Sequence, residues 1–95
     1  MLIKVHFLFN LRSIVGEKEV ILRLENNVTT IRDLIRLLIG KYGEKLEKVL
    51  RGESEEFNSS ITILVNGRNV VFIKGLETTL SDGDIISIIP PAGGG

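Results

Sequence analysis

The last fifteen residues, SDGDIISIIPPAGGG (81–95), predict a turn, a strand and a tail. Ser-Asp-Gly-Asp at 81–84 favours a tight turn, because aspartate bonds to its own backbone and glycine accepts a positive φ. The apolar run at 85–89 predicts a strand. Two prolines then favour an extended exit without ladder hydrogen bonds, and glycines fit where a backbone passes close to another surface. Because residues 90–95 span at most about 20 Å, we expect a flexible tail that holds a free carboxylate clear of the domain.

The strand at 85–89 carries isoleucine on both of its faces. We expect Ile86 and Ile88 to face the core, and Ile85 and Ile89 to face outward. Their outward neighbours are predicted to come from Leu8, Leu64 and Phe72. Because one helix covers only one face of a sheet, and exposed apolar patches mark interaction sites, the outer isoleucines predict a partner surface. A second helix or another copy of the chain is the alternative cover.

The N-terminal segment predicts a β-hairpin. Leu2–Phe9 alternates as a strand does, and its fully apolar face holds Ile3, Val5, Phe7 and Phe9. After a loop that contains Gly16, the segment Glu19–Leu24 alternates again and predicts the partner strand.

The middle of the chain predicts one main helix. Thr30 and Asp33 form a capping-box-like start, and an apolar stripe with helical spacing follows at Ile31, Leu34, Ile35 and Leu38. Gly43 is a suitable end for this helix. Leu46, Val49 and Leu50 suggest a second, short helix, and residues 52–60 are predicted to be a loop.

The remaining segments predict two more strands and a connection. Asn66-Gly67 is a strong hairpin-turn signal between the strands predicted at Ile61–Val65 and Arg68–Ile73. Leu76–Leu80 is predicted to be a connecting turn with one turn of 3₁₀ helix. Because a long link containing the helix separates the first strand from the last, we expect these two strands to pair in parallel. The 1–95 chain is thus predicted to be one α+β domain with the helix packed across one sheet face.

Composition excludes several classes of function. Twelve basic and twelve acidic residues cancel, so the chain as a whole carries no electrostatic footprint for nucleic acid or a membrane surface. The absence of cysteine excludes disulfides, a thiolate nucleophile and a thiolate metal site. Without a signal-peptide pattern or a long apolar run, we expect a soluble, cytoplasmic protein.

The polar side chains do not assemble into a predicted active site. His6, the only histidine, lies in the first strand and has no nearby partner that would complete a catalytic relay. Arg68 could dock an acidic loop of a partner, but an ordinary hairpin residue is the simpler interpretation. Asp82 and Asp84 fit a turn better than a metal site, which needs further ligands. We therefore predict no metal, no bound cofactor and no enzyme activity of the chain's own.

Four motifs carry a family resemblance: Val65-Asn66-Gly67-Arg68, Leu80-Ser81-Asp82-Gly83-Asp84, the helix start at Thr30-Ile31-x-x-Leu34, and the terminal Pro90-Pro91-x-x-Gly94-Gly95. With the two turns and the tail in this order, and the helix start before them, the chain resembles the ubiquitin-like sulfur carriers and small modifiers. That group includes the small subunit of molybdopterin synthase, the archaeal small modifiers and the ubiquitin-related modifier. The resemblance implies a β-grasp fold, with a mixed sheet of four to five strands and one main helix across one face.

The resemblance also implies a function for the tail. A ubiquitin-activating-like enzyme would supply ATP and adenylate the Gly95 carboxylate, with Gly94 beside it. Sulfur attack would give a thiocarboxylate for the molybdopterin synthase large subunit or for tRNA thiolation; lysine attack would join the chain to a target protein. A passive β-grasp interaction module is the alternative from another class. The implied partner-binding residues are Gly93, Pro90, Pro91, Ile89, Ile85, Phe72, Leu8 and Arg68.

Two features depart from the resemblance. Ala92 and Gly93 stand where such tails often carry a larger apolar residue and a non-glycine, so this tail is slimmer and would be anchored less firmly. Residues 44–60 exceed what the smallest thiamin-type carriers need, which disfavours that branch.

Overall fold

The computed structural model describes residues 1–52 and 57–91 and contains one mixed sheet. Its five strands, in the spatial order β2-β1-β5-β3-β4, are β1 (Leu2–Phe7), β2 (Glu19–Arg23), β3 (Thr62–Val65), β4 (Arg68–Asn69) and β5 (Ile85–Ile89). β5 lies at the centre, parallel to β1 and antiparallel to β3. The predicted parallel pairing of the first and last strands is therefore confirmed, and so is the N-terminal hairpin.

Three helices accompany the sheet: α1 (Leu11–Val15), α2 (Ile31–Tyr42) and α3 (Glu44–Arg51). α2 begins with the predicted capping box, in which the Asp33 N–H donates to Thr30 Oγ1 and the Thr30 N–H donates to the Asp33 carboxylate, both at 3.2 Å. The backbone N–H of Thr29, at 3.0 Å, is the largest cause that lowers the pKa of Asp33. This cap fixes where α2 starts, and thereby which of its residues face the sheet.

The core lies between α2 and one face of the sheet, which we call the inner face. The predicted stripe of α2 is buried throughout, and the second predicted helix contributes Leu46 and Leu50. From the strands, the core receives Ile3, Val5, Phe7, Leu22, Ile63, Ile86 and Ile88. None of the helices in the described part of the chain is long and apolar enough to cross a membrane.

The first strand ends earlier than its alternation predicts. Phe9 was expected on the apolar face, but it is 71% exposed and has a φ of +53°. The chain turns there, since the N–H of Leu11 donates to the carbonyl of Leu8, and α1 follows where a loop was predicted. Leu11 is fully buried and fills the core position that the alternation assigned to Phe9.

The strand predicted at Arg68–Ile73 is wrong beyond its second residue. β4 stops at Asn69, whose side chain accepts a hydrogen bond from the Val71 N–H at 3.0 Å and so caps a 3₁₀ turn at Val70–Phe72. The predicted 3₁₀ turn in the connection is present at Gly75–Glu77. The loop predicted at 52–60 lies partly outside the described residues.

Candidate functional site: the tail exit and the outer sheet face

The C-terminal tail leaves the protein from its central strand. Thr62 of β3 pairs with Ile89, and the N–H of Leu8, just after β1, donates to the carbonyl of Ile88 at 3.2 Å. Pro90 is buried and Pro91 is half-buried, so the chain is held by its surroundings up to this point. Residues 92–95, which include the predicted Gly93, Gly94 and Gly95, lie outside the described residues.

The two faces of β5 differ as the alternation predicts. Ile86 and Ile88 have no exposed surface, whereas Ile85 is 40% exposed and Ile89 is half-buried. Ile85 and Ile89 therefore lie on the face of the sheet opposite α2, which we call the outer face. This placement brings two isoleucines to the same surface as the strand that leads into the tail.

Other predicted partner residues are distributed around this surface. Leu64, on β3, pairs directly with Ser87, and Leu8 follows β1 beside the end of β5. Phe72 does not lie in a strand: it ends the 3₁₀ turn after β4 and is 73% exposed. Arg68 directs its Nη2 towards the Phe72 carbonyl at 3.5 Å, which ties the hairpin to that turn.

A groove of about 360 Å³ opens beside Ser87 of β5. We call it the basic groove, and it is lined by His6, Leu8, Arg12, Lys18, Glu19 and Ser87. Arg12 Nε donates to the Phe7 carbonyl at 3.0 Å, which holds that guanidinium at the rim. Arg12 and Lys18 were missed from the sequence; the spacing of Leu11, Ile14 and Val15 before Gly16 was the signal for the helix that positions Arg12.

Two turns fix the start of β5. The N–H of Ser81 donates to Asp84 Oδ2 at 2.7 Å, and Asn66 Nδ2 donates to Asp84 Oδ1 at 2.9 Å. The N–H of Ile85 returns a bond to Asn66 Oδ1 at 2.8 Å, and the N–H of Leu2 donates to Asp82 Oδ1 at 2.7 Å. Both aspartates thus serve turn geometry, as the sequence indicated. Within 1–52 and 57–91, no group of three or more potential metal ligands is arranged to hold an ion.

His6 occupies the half-exposed strand position that was predicted for it. Its Nε2 is buried and lies 3.0 Å from Glu19 Oε2, but the two groups are not aligned as a hydrogen bond. Lys4 Nζ lies 4.0 Å from the same carboxylate. These side chains form a polar cluster on the outer face. Ser87, the ladder partner of His6 on β5, lines the same groove, so a hydroxyl and a carboxylate both lie beside the histidine that was expected to have neither as a partner.

Known proteins resemble this chain over nearly its whole length. The sequence model of the ThiS family matches residues 5–95. Small archaeal modifier protein 3 of Haloferax volcanii is 33% identical over 95 residues, which is 100% of both chains. A candidate sulfur carrier protein of Archaeoglobus fulgidus is 42% identical over 74 residues, or 78% of this chain and 83% of that protein.

Solved structures agree with these matches. The solution structure of small archaeal modifier protein 1 from Methanosarcina acetivorans has a TM-score of 0.82 and 36% identity, and the match covers 99% of this chain and 96% of that one. By their names, these relatives are small archaeal modifiers and a sulfur carrier.

Proposed function

We propose that this chain, which belongs to the ThiS family, presents the Gly95 carboxylate to an adenylating enzyme and becomes a thiocarboxylate that donates sulfur. The observation that carries the proposal is the position of β5: the strand at the centre of the sheet leads directly into Pro90, Pro91 and the glycine tail. A reacting group on the tail is thus attached to a strand that is hydrogen-bonded to neighbouring strands on both of its sides. Reaction on the tail therefore need not disturb the domain.

The chain is a ubiquitin-like sulfur carrier or modifier with a β-grasp fold, as the resemblance of its motifs predicted. Like these relatives, it is a carrier protein rather than a catalyst.

The proposed chemistry needs no side chain of this protein. A Gly95 carboxylate oxygen attacks the α-phosphorus of ATP in the partner's site, pyrophosphate leaves, and an acyl adenylate forms. A hydrosulfide equivalent then attacks the acyl carbon, AMP leaves, and the C-terminus becomes a thiocarboxylate. Glycine suits this route because the partner's backbone and nucleotide can approach a chain without side chains closely. Since the reaction consumes ATP, we also propose a cytoplasmic site of action.

We propose the outer face around Ile85 and Ile89 as the surface that docks on the activating enzyme. Exposed apolar residues supply burial, and the basic groove next to them supplies positive charge from Arg12 and Lys18. A partner that fits this surface has an apolar patch bordered by acidic side chains. Leu8 belongs to the same surface, whereas Phe72 and Arg68 would contact the partner from the far side of β3.

Conjugation to lysines of target proteins is the second candidate function. The observation that favours it is the full-length relation to a small archaeal modifier protein. Both functions share the acyl adenylate and differ only in the nucleophile that attacks it, sulfur or a lysine amine. For the sulfur route, the recipients are molybdopterin synthase or a tRNA thiolation enzyme.

Intact-mass measurement tests the proposal. The purified chain is incubated with ATP, Mg²⁺, sulfide and candidate activating enzymes, and a variant lacking Gly94-Gly95 is the matched control. We expect an oxygen-to-sulfur mass increase in the full chain alone. Adducts of the chain on other proteins would instead support the modifier function.

Two results would contradict the proposal. If neither chain changes mass with any activating enzyme from the source proteome, the chain is a passive interaction module. If the truncated variant gains sulfur equally well, the reacting group is not the terminal carboxylate.

A further inference from the structure

β2 has one edge to which no other strand of the described residues is bonded, and this edge displays a row of backbone groups. Among the described strands only β1 pairs with β2, so β2 ends the sheet. The ladder between them includes bonds from the Phe7 N–H to the Lys18 carbonyl and from the Leu24 N–H to the Met1 carbonyl, both at 2.8 Å. Because bonded residues in an antiparallel ladder recur at every second position, Glu19, Ile21 and Arg23 direct their N–H and C=O groups away from β1.

The side chains of these three residues share the outer face. Ile21 is 64% exposed, and it lies between an acidic and a basic residue, both exposed. Natural sheets protect a free edge with short strands, charged side chains, proline, a bulge or a covering element. The charged side chains of this edge are Glu19 and Arg23, and Glu19 also lies near Lys4 and His6 on the outer face. β2 has no proline, pairs with β1 in unbroken register from residue 19 to residue 23, and holds its apolar side chain at the centre of the exposed row.

The sequence of this edge is complementary to itself. When two copies of β2 pair antiparallel around Ile21, Ile21 lies opposite Ile21 of the second copy, and Glu19 lies opposite Arg23 of the second copy. Each residue that directs its backbone groups to the edge then meets a residue that does the same. We propose that this chain self-associates through β2 to form a two-fold dimer with one continuous sheet.

A second copy is the partner that the charge order selects. Opposite charges that face each other across an antiparallel pair stabilise it, and like charges destabilise it. The two-fold operation produces the Glu19–Arg23 pair twice, whereas a parallel or shifted pairing loses at least one of them. The dimer is compatible with the proposed function but does not rest on it, because β1 separates β2 from β5 and the tail exit stays free.

The interface is short, with five residues from each copy, so the dimer is expected to be weak and to form only at high protein concentration. Sedimentation velocity of the full chain from micromolar to millimolar concentration measures it. We expect the sedimentation coefficient to rise with concentration, and the amide NMR signals of residues 19–23 to shift over the same range.

Exchanging the charges of Glu19 and Arg23 tests the pairing register of the proposed dimer. E19R and R23E each place like charges opposite one another, and we expect each to raise the dimer dissociation constant about tenfold. The double variant E19R/R23E restores opposite charges and the native net charge, so its dissociation constant should return to within about threefold of the native value. E25R changes the net charge as E19R does, but lies outside β2 and should leave the dissociation constant unchanged.

I21P provides an independent test, because the Ile21 N–H is directed away from β1 and is needed only by the second copy. We expect I21P to remain folded by circular dichroism and to stay monomeric. A native chain that remains monomeric at millimolar concentration would overturn the proposal. So would a dimer that forms equally well in E19R and R23E, that the double variant does not restore, or whose concentration-dependent shifts map to Ile85 and Phe72.

Discussion

The inner and outer faces of β5 both carry isoleucine, but these isoleucines differ in their exposure to solvent. Ile86 and Ile88 are enclosed by α2 and the neighbouring strands, whereas Ile85 and Ile89 face the side of the sheet that α2 leaves open. Burial of an isoleucine side chain contributes about 1.5–3 kcal/mol, so the inner pair stabilises the fold. Ile85 is 40% exposed and Ile89 is half-buried, so the outer pair contributes less to the fold and leaves part of its apolar surface for association. One strand thus divides its apolar residues between stability and recognition.

The largest expected effect comes from the inner face. Ile88→Ala removes a fully buried side chain next to the tail exit and should lower the free energy of unfolding by about 2–5 kcal/mol. Ile85→Ala is the matched control and should lower it by less than about 1 kcal/mol, since that side chain is already partly in water. Urea denaturation followed by circular dichroism measures both. Equal losses would show that the two faces are not divided as described.

A smaller loss of folding stability is expected from a substitution at the start of β5. Asp84→Ala leaves the Ser81 N–H and the Asn66 amide without the buried carboxylate that accepts their hydrogen bonds, which should cost about 1–3 kcal/mol. Because a shift of one residue would exchange the two faces of β5, this variant also tests what fixes the register. Urea denaturation gives the loss, and NMR contacts between β1 and β5 report the register. A variant as stable as the native chain would contradict this role.

The pKa of Tyr42 reports how far water is excluded from the edge of the core. Its ring meets Phe7 edge to face at 5.6 Å, and its hydroxyl donates to Glu17 at 2.7 Å. Burial, followed by Glu17, raises the pKa of Tyr42 to about 12 from 10.0. A raised folded-state pKa stabilises the protonated form, so this stabilisation is present below pH 10 and is lost as the pH rises towards 12.

Tyr42 is the only tyrosine, and tryptophan is absent, so tyrosinate absorbance reports this residue alone. The midpoint pH of the tyrosinate titration should fall to the ordinary tyrosine range when urea unfolds the protein. Glu17→Gln should also lower this midpoint in the folded protein. A midpoint near 10 in the folded chain would contradict burial at this margin.

The smallest effect on stability, and a large one on binding, is expected from Ile85→Asp. The new carboxylate would lie opposite Lys4 on β1, but the partly buried isoleucine surface is lost and aspartate is disfavoured in strands, so the free energy of unfolding should fall by about 1 kcal/mol. Affinity for the activating enzyme should fall about tenfold or more, because a charge would replace an apolar contact. Calorimetric titration measures this affinity. Glu25→Gln, a charge change on a distant loop, is the control and should leave the affinity unchanged. Unchanged affinity would remove the outer face from the proposed docking surface.

The sequence predicted those elements whose signals are local and repeated. The capping box at Thr30, the stripe of α2 and the Asn66-Gly67 turn each follow from residues a few positions apart, and all are present. The parallel pairing of β1 and β5 followed from the length of the link between them. The division of β5 into two faces followed from simple alternation.

The predictions from sequence fail where one side chain overrides a longer strand pattern. Alternation continued to Phe9, but the backbone turns before it and places Leu11 in the core instead. β-branched and aromatic residues favoured a strand through Ile73, but the Asn69 side chain captures the Val71 N–H and starts a 3₁₀ turn. The basic groove was not predicted either, since it depends on α1, a short helix in a segment that was expected to be a loop, to bring Arg12 to the groove that Lys18 also lines.

The parallel pairing of β1 and β5 also decides how the protein responds to mechanical force. Because the two strands run in the same direction, the start of β1 and the end of β5 lie at opposite ends of one ladder. A pull between them loads the bonds of that ladder in shear, all at once, and the antiparallel ladder with β3 holds β5 from its other side. When the chain is pulled between Met1 and Pro91, the bonds of this ladder therefore share the force and are not broken one after another from the tail end.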